Sequence, residues 1–138
     1  MGTTELTELK AALDLYLAQY SATDKLWAYF STVTLAVLGF SVGSDKVSKS
    51  FFEASIVVVS YLVFCFGNYS ALSLSQQQLV QFAALARSVA EKHKVQMSAL
   101  QPFTADAVAG FYWVVVAAVC TGVLFITYRR HAKQPGEP

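Results

Sequence analysis

Charge is missing from this sequence in three long stretches. Leu26–Gly43, Ala54–Leu74 and Ala107–Tyr128 contain no Asp, Glu, Lys, Arg or His. A helix needs about 20 mostly apolar residues to cross a bilayer core, and these runs meet or approach that length. A buried soluble helix explains one such run; three of them in a chain of 138 residues read as three membrane crossings. Chemistry-bearing residues are scarce as well, with 2 His and 2 Cys in the whole chain. Cys65 and Cys120 fall inside apolar runs with no histidine or carboxylate at ligand spacing. That excludes a metal centre and a disulfide framework, and leaves the thiols as small packing groups. There is no Ser/His/Asp or Cys/His arrangement and no glycine-rich phosphate loop, so no enzyme activity and no cofactor is expected. A net charge of +1 gives no footprint for nucleic acid. Uncharged spans also argue against a proton-coupled transporter, which carries its ionisable groups inside the membrane.

What is present fits an all-α, three-span membrane protein. In the third run, Val108, Phe111, Val114, Val115, Val116, Val119, Val123, Leu124, Phe125 and Ile126 together favour insertion by roughly 3–6 kcal/mol. Aromatic residues cluster at one set of ends, with Trp27 and Tyr29 opening the first span, Tyr69 late in the second, and Tyr112 and Trp113 opening the third. In a three-pass chain these ends share one interface, as an aromatic belt does. The start of the chain is acidic and polar, so no secretory leader is expected and the first run stays as an anchor.

Two amphipathic segments flank the spans. Within 4–20, Leu6, Leu9, Leu13, Tyr16 and Tyr20 follow heptad-like steps on a helix. Ser21-x-x-Asp24 reads as a capping box that breaks or bends this helix before span 26–43. Ser50-x-x-Glu53 is a second box, opening span 54–74. Past Leu74, Leu79, Phe82, Ala86, Val89 and His93 continue a stripe through 75–97, with Gln76, Gln77 and Gln81 on other faces. Pro102 and Thr104 mark the turn into span 107–128, and 129–138 is a basic polar tail.

With three spans, 4–20 and 75–97 lie on the same side of the membrane. Their charges are complementary, and Asp14 with Arg87, Glu8 with Lys92 and Glu5 with Lys94 lie at matching distances from their spans. The expectation is an antiparallel helical stalk, with Leu6, Leu9 and Leu13 packed on Leu79, Phe82, Ala86 and Val89. Exposed ion pairs add only about 0–1 kcal/mol each, so apolar burial holds the stalk while the charges set its register. Such a stalk is a surface for a protein partner.

Small residues recur along the spans: Thr32, Ala36, Gly39 and Gly43 in the first, Gly67 and Ala71 in the second, Ala117 and Thr121 in the third. Where lipid offers no hydrophobic contrast, small side chains let helices approach, either within one chain or between copies in a homo-oligomer. Ser31, Thr34 and Ser41 form a polar stripe that is a candidate pore face, although such hydroxyls commonly bond back to their own helix. Basic residues close to the spans, including Arg129 and Arg130, favour a cytoplasmic C-terminus and an outside N-terminus, in a bacterial inner membrane. This topology is similar to that of the three-span holins; the long amphipathic helix and stalk depart from them. The resemblance implies a membrane-permeabilising effector as the alternative to an oligomeric structural or accessory subunit.

Overall fold

A computed structural model describes residues 2–133, the side chain of Ser48 excepted. The described residues form four helices, α1 (Thr3–Gly43), α2 (Asp45–Lys49), α3 (Phe51–Lys92) and α4 (Ala105–Ala132). The long helices α1, α3 and α4 are each long and apolar enough to cross a membrane. Of the predicted tail 129–138, the first four residues lie on α4, and residues from 134 onward lie outside the described residues.

Helix α1 runs unbroken through Ser21–Asp24, where a break or bend was expected. No proline or glycine interrupts it before Gly39, so no backbone hydrogen bond is lost there. The Thr23 hydroxyl bonds back to the Gln19 carbonyl at 3.0 Å instead of starting a new helix. After Gly43 comes the one-turn helix α2. The Ser44 hydroxyl accepts from the Val47 N–H at 3.5 Å, and Ser50 closes α2 by donating its N–H to Lys46 O at 3.0 Å. The Ser50 hydroxyl then accepts from the Glu53 N–H at 3.4 Å and caps α3.

Helix α3 ends at Lys92 in a left-handed turn. Lys94 has φ 60°, its N–H reaches Glu91 O at 3.0 Å, and the Val95 N–H reaches Ala90 O at 2.8 Å. This pair of reverse bonds is a Schellman closure, which satisfies carbonyls that the helix end would leave open. The Thr104 hydroxyl accepts from the Ala107 N–H at 3.3 Å and caps α4.

The chain divides into two compact units, Met1–Trp27 with Ser70–Ala109, and Ala28–Tyr69 with Gly110–Pro138. In the first, α1 and α3 pack antiparallel, burying Leu9, Ala12, Tyr16 and Thr23 on one side and Leu72, Leu79, Ala83, Ala86 and Ala90 on the other. In the second, Phe30 and Thr34 of α1, Ala54, Tyr61 and Cys65 of α3, and Tyr112, Val116, Val119 and Val123 of α4 are buried.

Candidate functional site

The first unit carries the surface that the sequence marked as a stalk. Leu9 and Leu79 are buried, and Leu13, Phe82 and Val89 are half-buried. Tyr16, Leu79 and Ala83 form the central cluster, with Phe82 and Leu100 of the returning segment packed on it. Leu6 departs from expectation and is 59% exposed. The buried row runs through Ala12, and one heptad before Ala12 is Glu5, not Leu6.

Glu8 and Lys92 stand 3.8 Å apart. Asp14 and Arg87 do not meet. Asp14 lies two positions from both Ala12 and Tyr16, roughly 200° around the helix from each, and so points away from α3. The Arg87 Nε donates to Ala83 O of its own helix at 3.4 Å. Glu5 is paired with His93 in place of Lys94.

His93 completes a cluster at the end of the stalk. Its side chain is 6% exposed, with Nδ1 3.7 Å from Glu5 Oε1 and Nε2 3.6 Å from Glu8 Oε2. Nε2 is buried without a hydrogen-bond partner. The heptad series Leu72, Leu79, Ala86, His93 puts the ring on the inward face of α3.

A second polar layer lies at the opposite end of the stalk, where 4–20 and 75–97 join their spans. Gln19 Nε2 donates to Ser75 O at 3.1 Å and to Ser75 Oγ at 2.8 Å, and Ser75 Oγ lies 2.7 Å from Thr23 Oγ1. Gln76 is 3% exposed, and its Nε2 donates to Phe103 O at 2.7 Å, fixing the returning segment. The sequence reading put Gln76 on an outer face. The signal that locates it inward is its heptad spacing to Ala83 and Ala90. Gln76 sits 16 positions before the end of α3, roughly 24 Å along the axis. The segment after Lys92 spans that distance easily while extended.

In the second unit the small-residue set faces outward. Thr32, Ala36, Gly39, Gly43, Gly67, Ala117 and Thr121 are all exposed, as is Ala71 in the first unit. A Cβ at Gly39, Gly43 or Gly67 would meet nothing within 4 Å. Packing within one chain therefore does not use these residues. The interior is filled by other residues, small ones such as Ala54 and Ser41 beside the larger Phe30, Tyr61 and Tyr112. Phe30 and Tyr112 have ring centres 4.3 Å apart, and the Tyr112 hydroxyl donates to Cys65 O at 2.8 Å. Tyr112, expected in an interfacial belt, is fully buried, whereas Tyr29 is 63% exposed.

The candidate pore face also divides. Ser31 is exposed, while Thr34 and Ser41 are buried. Thr34 Oγ1 lies 2.8 Å from the Tyr61 hydroxyl, and Ser41 donates to Val37 O at 2.7 Å. At about 100° per residue Ser31 lies roughly 60–80° around α1 from the other two, enough to turn it out of the interior. The three hydroxyls line no common path within the chain. Asn68 donates to the Tyr112 hydroxyl at 3.4 Å. At the other end of this unit, Arg130 Nη2 donates to Val42 O at 3.2 Å and supplies a cation to the end of α1, whose last turn has no basic residue.

Among the described residues no group of three or more His, Cys, Asp or Glu side chains is placed to hold a metal ion. Comparison with known proteins gives no match, whether to a family model, a curated protein sequence or a solved structure.

Proposed function

We propose that this chain is an oligomeric, non-enzymatic integral membrane protein, a structural or accessory subunit that associates with further copies through its first span and docks a protein partner through its stalk. The observation that carries the reading is the outward face of Thr32, Ala36, Gly39 and Gly43, which the chain's own packing leaves unused. Small residues on an exposed membrane-helix face allow close approach by another helix. The stalk supports the docking role: Leu6, Leu17 and Tyr20 are each more than half exposed, at 59%, 59% and 55%. With Leu13 they form a second heptad-like row beside the buried one. The proposed setting is a bacterial inner membrane, with the stalk outside and Arg129 and Arg130 at the cytoplasmic face.

The test is the Gly39→Leu/Gly43→Leu variant, sized by light scattering in mild detergent. Leucine at these positions meets no atom of the chain itself near its Cβ, so the monomer retains its helical content by circular dichroism. The expected result is a smaller oligomer; an unchanged mass overturns the association face.

A further inference from the structure

We propose that the far end of the stalk is a proton-binding latch. His93, protonated, sits between Glu5 and Glu8 and holds the first turns of α1 against the end of α3; loss of that proton releases them. The inference rests on the cluster's own geometry and is independent of the docking role.

Each ring nitrogen of His93 faces a different carboxylate, Nδ1 to Glu5 at 3.7 Å and Nε2 to Glu8 at 3.6 Å. An imidazolium turns an N–H and a share of positive charge toward each carboxylate, both at ion-pair distance. A neutral ring has one donor and one lone pair, so in either tautomer one carboxylate faces a lone pair. Water cannot easily repair the mismatch, because the side chain is 6% exposed and Nε2 is buried without a hydrogen-bond partner. A buried polar atom left in that state has lost its hydration with nothing in exchange.

Little else holds this end of α1. Among the described residues Leu9 is the first that is buried, and Leu6 ahead of it is 59% exposed. The Glu8–Lys92 pair is mostly solvated, at 50% and 70% side-chain exposure, and contributes little by itself. The charged groups around the ring are Glu5 and Glu8 from α1, and Glu91, Lys92 and Lys94 from its own segment. The returning segment 95–104 contains no titratable residue. Glu91 and Lys94 are exposed and enter no ion pair among the described residues.

The sign follows from where the proton is bound. The closed end holds it and the open end does not, so closure is favoured on the acid side and fades as pH rises.

The experiment uses the full chain in lipid nanodiscs, with Cys65→Ala and Cys120→Ala removing the native thiols and nitroxide labels at Thr4→Cys and Ser88→Cys. Pulsed electron resonance is recorded at about pH 5.5 and about pH 8. The expected result is a single narrow separation at the lower pH that broadens to longer distances at the higher. His93→Gln, and separately Glu5→Gln with Glu8→Gln, abolish the response. An identical distribution at both pH values overturns the latch, as does a response that survives His93→Gln. Because the substitutions can impair folding, nitrogen NMR of the ¹⁵N-histidine-labelled native chain gives an independent reading, with the exposed His131 as internal reference. Two protonated ring nitrogens on His93 at the lower pH support the latch; a neutral tautomer there overturns it.

Discussion

Replacing Lys94 with glycine should tighten the end of α3, and the size of the gain can be worked out in advance. Lys94 has φ 60°, and no other described non-glycine residue has a positive φ. Left-handed backbone brings the Cβ too close to the following carbonyl, at a cost of roughly 1–2 kcal/mol for an L-residue. Glycine avoids that cost but loses more freedom on folding, by roughly 0.5–1 kcal/mol. The difference favours glycine by about 0.5–1 kcal/mol. Losing the charge matters little, since Lys94 is exposed and in no ion pair among the described residues. The probe is amide hydrogen exchange at fixed pH, read at Val95, whose N–H closes onto Ala90 O at 2.8 Å. If local opening governs exchange, protection should rise about two- to fivefold in Lys94→Gly. Lys94→Ala keeps the Cβ and should leave protection unchanged. An equal rise in both variants, or a fall in Lys94→Gly, would refute the assignment of strain to this residue.

Further outcomes follow from the same packing. Leu79→Ala, at a site 3% exposed, should cost about 2–5 kcal/mol and lower the thermal midpoint in detergent, while Leu6→Ala, at 59% exposed, should change it by less than about 0.5 kcal/mol. Equal effects would contradict the assigned register. Gln76→Leu removes the donor to Phe103 O and should speed proteolysis within 96–103; unchanged cleavage would mean that this bond does not anchor the segment. For the proposed orientation, a membrane-impermeant maleimide should label Ser98→Cys in intact cells and spare Lys133→Cys, and the reverse pattern would invert the topology.

The three spans were legible because absence of charge over such lengths has few explanations, and α1, α3 and α4 each contain one. The packing of α1 on α3 was legible from heptad steps, and of the three charge pairs expected Glu8 with Lys92 met at 3.8 Å. Finer placement depended on phase. Reading the α1 stripe from Leu6 instead of Leu9 turns the inward face by less than one residue's rotation, yet that decides whether Leu6 or Glu5 faces α3. Gln76 was hidden for a different reason, its polarity, which suggests an outer face, although its heptad spacing to Ala83 and Ala90 points inward. Ser75 and Phe103, distant in sequence, supply the acceptors that make inward glutamines at 19 and 76 affordable. The small residues misled for another reason: their spacing is equally suited to contact within a chain or between chains, and only the observed packing shows that this chain leaves them outside.

The two units have different kinds of interior. The seam of the first unit pairs Leu9 and Tyr16 with Leu79, Ala83, Ala86 and Ala90; with the stalk in water, as proposed, this burial of apolar surface stabilises it. Its buried polar atoms therefore serve to fix register: the Gln19–Thr23–Ser75 layer can form in only one alignment of α1 on α3. A lipid-embedded bundle gains nothing from that contrast, since lipid tails are as apolar as leucine. The second unit accordingly joins its helices by hydroxyl groups, Thr34 to Tyr61, Tyr112 to Cys65 O, and Thr127 to Val47 O at 3.4 Å. Those bonds are worth only about 0.6 kcal/mol each on average in membrane proteins. The Asn68–Tyr112 and Arg130–Val42 contacts and the paired rings of Phe30 and Tyr112 add to these bonds, and under the proposed association the exposed small-residue face of α1 is where a second copy would add further packing.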